Sequence, residues 1–169
     1  QQYIPIGERE WTVGVLDLQV GADDQGLVVI PDANLRSALE SALGKNAGDP
    51  ITDAELVTLT ELDASDSSIT DLTGLEHCIG LKTLNLYGNS ISDITSVANL
   101  TSLTELWLDN NQISDISSLE NLTNLTMLEL DGNSISDISA LVNLTNLNTL
   151  VIFGNSISDI LALANLTNL

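Results

Sequence analysis

LTELWLDNNQISDISSLENLTN (residues 103–124) runs straight into LTMLELDGNSISDISALVNLTN (residues 125–146), and most of the second stretch repeats the first. Worked outward, the same cycle sets Leu59, Leu81, Leu103, Leu125, Leu147 and Leu169 at a step of 22 residues. Further columns keep that step: Leu62, Leu84, Leu106, Leu128, Leu150; Ala64, Leu86, Leu108, Leu130, Ile152; Ile69, Ile91, Ile113, Ile135, Ile157. A fixed period of this length marks a stack of like turns. Within each turn L-x-L alternates with period two, as a half-buried strand does. One such strand cannot bury its apolar side alone. Stacking the turns sets leucine over leucine, makes one continuous core and lines the strands into a parallel sheet spaced by about 4.8 Å.

The turn after each strand carries Asn89, Asn111, Asn133 and Asn155. An inward amide there satisfies backbone groups of adjacent turns, where an unpaired buried group costs about 1–3 kcal/mol, so these four are read as structural. The first turn departs, with Ser67 at this place and Ala64 in a leucine column, as an end repeat does. Asp71, Asp93, Asp115, Asp137 and Asp159 precede return arms too short for a long helix. Brief 3₁₀ pieces capped by those carboxylates are expected. The N-L-T triplets at Asn99, Asn121 and Asn143 match the glycosylation acceptor pattern, but they recur because the repeat recurs.

Upstream, VVIPDANLRSALESALGK (28–45) sets Leu35, Leu39 and Leu43 at helical spacing, with Pro31 and Asp32 as start signals and Gly44 as the stop. Thr52 and Glu55 have capping-box spacing ahead of a second, short helix. The expected division is a leader or linker over 1–26, a helical cap over 27–58, and five 22-residue repeats plus the first residue of a sixth over 59–169. In the leader, Trp11, Val13 and Val15 pack on the cap, belong to the tail of a preceding domain or form a flexible leader. A start at Gln1 fits a processed or excised segment, and no signal peptide is present. No polar capping segment follows Leu169, which points to a longer chain or to self-association through the exposed end.

Composition narrows the partners. Of 169 residues 24 are acidic and four basic, for a formal net charge of −20, which disfavours nucleic acid and anionic membrane. The charge favours a basic protein surface or cations, or serves only to keep the surface hydrated. Aromatic residues are 3% of the chain, so the core must be aliphatic. No apolar run approaches the length of a membrane-spanning helix. The lone cysteine, Cys78, excludes an internal disulfide framework.

The cycle N-x-I-S/T-D-I/L with N-L-T-x-L resembles the SDS22-like class of leucine-rich repeats found in bacterial internalin-type surface proteins. VVIPDANLRSALESALG followed by GDPIT resembles the helical N-terminal cap of bacterial members. The likeness covers residues 28–169. It implies an α/β leucine-rich repeat solenoid: a curved parallel sheet on the concave face, short 3₁₀ or loop segments on the convex side, and a helical cap. It also implies a secreted or surface location and protein binding on the concave strand face, at positions 83, 85, 87 and their equivalents. The proline common after the helical-turn isoleucine is missing, with Ser96, Ser118 and Ala140 near that place.

The residues between core leucines face the open side of the sheet. Their columns read Glu61, Thr83, Glu105, Met127, Thr149; Asp63, Asn85, Trp107, Glu129, Val151; and Ser65, Tyr87, Asp109, Asp131, Phe153. Candidate ligand contacts are Glu61, Asp63, Asn85, Tyr87, Glu105, Trp107, Asp109, Met127, Glu129, Asp131, Val151 and Phe153. Aromatic residues ringed by polar ones are typical interface anchors. Asp109 and Asp131 stand in one column near Glu105 and Glu129, where like charges repel unless a basic side chain or a cation intervenes. Their spacing matches no known calcium loop, so no metal or cofactor is assigned and solvated charges are expected. His77 and Cys78 replace the asparagine and leucine of later repeats and read as structural, and no glycine-rich phosphate loop is present, so catalysis is not expected. The reading is a non-catalytic module that recognises a protein, less readily a glycan, through its concave face, in adhesion. The alternative is a spacer or scaffold domain of a larger surface protein.

Overall fold

The 22-residue step becomes a stack of turns in the backbone, seen in a computed structural model that describes residues 26–169. The readings made for Trp11, Val13 and Val15 lie outside the described residues. Each turn contributes one three-residue strand: β1 (Glu61–Asp63), β2 (Thr83–Asn85), β3 (Glu105–Trp107), β4 (Met127–Glu129) and β5 (Thr149–Val151). They form one parallel sheet in chain order. The register follows the period: Leu62, Leu84, Leu106, Leu128 and Leu150 pair in succession. On the return side run 3₁₀ turns at Leu75–His77, Thr95–Val97, Ser117–Leu119, Ser139–Leu141 and Leu161–Leu163. The leucine, isoleucine and valine columns between the two sides are buried, and form one aliphatic cluster with the cap. In the last described turn Leu150, Ile152 and Ile157 are only partly buried, while Ile160 and Leu161 are exposed.

Parallel three-residue strands supply few bonds, so the asparagines carry much of the joining. Asn111 Nδ2 donates to Leu108 O in its own turn at 3.1 Å and to Leu86 O in the preceding one at 2.9 Å. Its Oδ1 accepts from the Ile91 amide at 3.0 Å. Asn89, Asn133 and Asn155 repeat this pattern one turn at a time. Ser67 is too short for it and donates its hydroxyl to Ser65 O at 2.8 Å. The residue before each of these positions has left-handed backbone: Asp66, Gly88, Asn110, Gly132 and Gly154, with φ between 48° and 67°. Only Gly, Asn and Asp take that conformation readily, which accounts for a column without side-chain size.

Two helices close the first edge. Helix α1 (Ala33–Ala42) starts at Asp32, whose Oδ1 accepts from the Asn34 and Leu35 amides at 2.9 and 3.0 Å. Its Oδ2 accepts from the Thr70 amide at 2.9 Å, so one carboxylate caps the helix and ties it to the first return arm. Leu35 and Leu39 point into the core, and α1 packs on β1. Helix α2 (Asp53–Leu56) begins with a reciprocal capping box between Thr52 and Glu55. Lys45 Nζ lies 2.5 Å from Glu55 Oε1. No described helix is long and apolar enough to cross a membrane.

Two predictions test this account. Asn111→Ala strands the Ile91 amide and leaves the Leu86 and Leu108 carbonyls with one donor each, from Asn89 and Asn133, and should cost about 2 kcal/mol in urea unfolding, where exposed Gln112→Ala changes stability by no more than about 0.5 kcal/mol. Equal midpoints would show that the ladder does not hold the turns. The second concerns Glu55, whose carboxyl is drawn from its ordinary 4.5 to about 2 by its bond to Lys45 and by Thr52. A depressed folded value stabilises above the ordinary value and is lost as pH falls through the folded one. The Tm advantage of wild type over Glu55→Gln should therefore shrink between pH 4.5 and about 2 in a thermal-melt series.

Candidate functional site

The flanking positions of each strand face outward on the concave side, because the central leucine of each is committed to the core. Asn85, Glu105, Trp107, Met127, Glu129 and Val151 are half-buried there, while Glu61 and Asp63 at the capped end are exposed. Register fixes their neighbours: Asn85 lies beside Trp107, Trp107 beside Glu129, and Glu129 beside Val151. Glu105 lies beside Met127. Trp107 and Val151 are thus separated by a carboxylate and do not form one apolar patch. Tyr87 is 39% exposed and Phe153 is 70% exposed in the column just past the strands.

Asp109 and Asp131 belong to that same column, yet they are 7% and 8% exposed, which corrects the expectation of solvated charges. The reason lies in the turn. Each follows a core leucine and precedes a left-handed residue, Asn110 or Gly132, where adjacent turns bond closely. Asn110 N donates to Asp131 O at 2.8 Å, and Leu108 N to Glu129 O at 2.9 Å. The carboxylates of Asp109, Glu129 and Asp131 each place an oxygen within 4.8 Å of the others. Asp109 Oδ2 accepts from Asn110 Nδ2 at 3.2 Å, whereas Asp109 Oδ1 is buried with no partner. Burial, then the Asp131 charge, push the Asp109 carboxyl above the usual range against its own amide and Asn110. Burial and the charges of Asp109 and Asp131 push Glu129 up as well, with the Trp107 side chain opposing.

The structure therefore brings together three of the candidate residues, Asp109, Glu129 and Asp131, with Trp107 alongside on the neighbouring strand. It leaves Glu61 and Asp63 apart at the cap and Phe153 at the far side. Sequence reading missed the burial of Asp109 and its pairing with Asn110. The left-handed N-N step at 110–111 was the available signal. Shallow grooves on the convex side, such as the one of about 370 Å³ lined by Asp115, Ser117, Glu120 and Asp137, lie between successive 3₁₀ turns and follow from the stacking itself.

Comparison with known proteins agrees with the stacked-turn fold. The family described as leucine-rich repeats (two copies) matches at residues 57–99, 79–121, 101–143 and 123–168. Internalin J of Listeria monocytogenes serotype 4b is 44% identical over 54 residues, which is 32% of this chain and 6% of that protein. The crystal structure of an internalin from the same species superposes with a TM-score of 0.73 at 35% identity, over 86% of this chain and 49% of that one. Internalin C2 superposes at 0.63 with 34% identity, over 83% of this chain and 73% of its own. The chain thus spans a small part of internalin J and about half of the first of these structures.

Away from the sheet, His77 Nδ1 lies 2.7 Å from Asp53 Oδ1, joining the first return arm to α2. Cys78 is fully buried, and burial pushes its thiol up to about 12, the opposite of what a nucleophile needs. Native protein should accordingly resist a thiol-reactive disulfide reagent at pH 8 and release one equivalent only in denaturant. Prompt reaction of the native protein would mean that the first repeat opens.

Proposed function

The chain belongs to the leucine-rich repeat family as an internalin-type domain with a helical cap, and we propose that it is a recognition module capturing a protein on its concave face. The domain is non-catalytic, and its scaffold repeats while the outward strand columns do not. That contrast is the observation that carries the reading. Trp107, Met127 and Val151 are half-exposed among acidic and amide neighbours, and Tyr87 and Phe153 stand further out. Large rigid side chains ringed by polar groups are where binding energy concentrates. A net charge of −20 favours a partner with a basic surface and faster encounter with it. The likeness to internalins supports a location outside the cell and a role in adhesion. The competing reading is a spacer within a longer surface protein.

Immobilised wild type and a Tyr87→Ala/Trp107→Ala/Phe153→Ala variant, exposed to surface fractions, distinguish the two. A recognition face retains a protein that the folded variant loses by more than about tenfold, or 1.4 kcal/mol. Equal retention by both removes the concave assignment, and retention by neither favours the spacer.

A further inference from the structure

We propose that Asp109, Glu129 and Asp131 form a calcium-binding site at the concave edge of β3 and β4. Three observations converge on it. The three carboxylates lie within 4.8 Å of one another. Asp109 is 7% exposed and its Oδ1 has no hydrogen-bond partner, so a buried acceptor within this group awaits a positive ligand. Among the described residues none is supplied there: their ion pairs join Arg36 to Glu40, Lys45 to Glu55, and His77 to Asp53 and Glu76.

The backbone that carries these carboxylates is fixed. Bonds between neighbouring turns, including Gly88 N to Asp109 O at 3.1 Å and Asn110 N to Asp131 O at 2.8 Å, hold their backbone in register. The raised carboxyl groups of Asp109 and Glu129 agree with a missing counter-charge.

The donor set selects the ion. All three ligands are hard anionic oxygens, which suit Ca²⁺ or Mg²⁺ and not the nitrogen and sulfur preference of zinc. Oxygens bound to one Ca²⁺ at 2.3–2.6 Å lie up to about 5 Å apart, so a spread of 4.8 Å is within its reach. Mg²⁺ holds its ligands at about 2.1 Å, keeps several waters and takes one or two carboxylates. Three carboxylates give between three and about six oxygens, and water completes a Ca²⁺ shell of six to eight. The surrounding negative field raises the local cation concentration. This site stands independently of the protein-capture reading.

Trp107 pairs in register with Glu129 and provides an optical antenna. Chelator-treated protein is titrated with Tb³⁺ under tryptophan excitation, then back-titrated with Ca²⁺ or Mg²⁺. One saturable site is expected, displaced by Ca²⁺ on the order of 0.1–1 mM and not by equal Mg²⁺. Asp109→Asn and Asp131→Asn should each weaken Ca²⁺ binding more than tenfold. Trp107→Phe should lose the sensitised emission while keeping the Ca²⁺-induced rise in Tm. In chelator the two Asn variants should melt at or above wild type, because they relieve repulsion, and in millimolar Ca²⁺ that order should reverse. Glu129→Gln, at a half-exposed position, gives the same reading if a buried substitution impairs folding. The proposal is overturned if wild type shows neither saturation nor a Tm shift with Ca²⁺, or if all three carboxylate variants titrate as wild type does.

Discussion

The amide of a buried asparagine sets the terms for everything else in this molecule. Strands of three residues leave backbone groups at their ends that water cannot reach, and each turn must settle them with the turn before it. Asn111 does so by bonding carbonyls of two turns while its oxygen accepts the Ile91 amide. That geometry works only if successive turns have the same length and the same bend. The 22-residue period, the left-handed residue ahead of each asparagine, and the leucine-over-leucine core are consequences of one requirement: buried backbone groups must be paired.

A scaffold so constrained leaves few positions free, and that is why variation along the strands is informative. In β3 the core takes Leu106 and leaves Glu105 and Trp107; in β4 it takes Leu128 and leaves Met127 and Glu129. No stacking rule distinguishes tryptophan from glutamate at such a place. Residue choice there is free of the stacking constraint, and the proposed recognition face is read from these positions for that reason.

The columns of Leu and Ile, the Asn ladder, the Thr52–Glu55 box and the Asp32 start were legible because each depends on local spacing or on a period that reports its own stacking. Other features depend on what one turn presents to the next. The second role of Asp32, accepting from Thr70 across 38 residues, has no local signature. Nor has the contact between His77 and Asp53. Asp109 is the sharpest instance: it shares a column with exposed Tyr87 and Phe153, yet it is buried. Alternation predicts the face of a residue inside a strand, but residue 109 lies past the end of β3, where the turn decides.

The acidic residues of this chain therefore fall into two physical kinds that composition merges into one number. Along the convex arm, Asp71, Asp93, Asp115, Asp137 and Asp159 each accept a backbone amide two residues on, at 2.8 Å. For Asp71 the bonds from Thr73, and for Asp115 and Asp137 those from the amides and hydroxyls of Ser117 and Ser139, hold the carboxyl below its usual value. Ionisation there helps to set the 3₁₀ turn, so the negative charge is part of the scaffold and recurs with it. On the concave edge the carboxyls of Asp109 and Glu129 are instead displaced upward, each first by burial, then Asp109 by the Asp131 charge and Glu129 by those of Asp109 and Asp131. A scaffold carboxylate has its partner within its own turn. The concave group has three acids, with Asn110 bonded to Asp109 and the Trp107 side chain to Glu129, and among the described residues no basic side chain pairs with it.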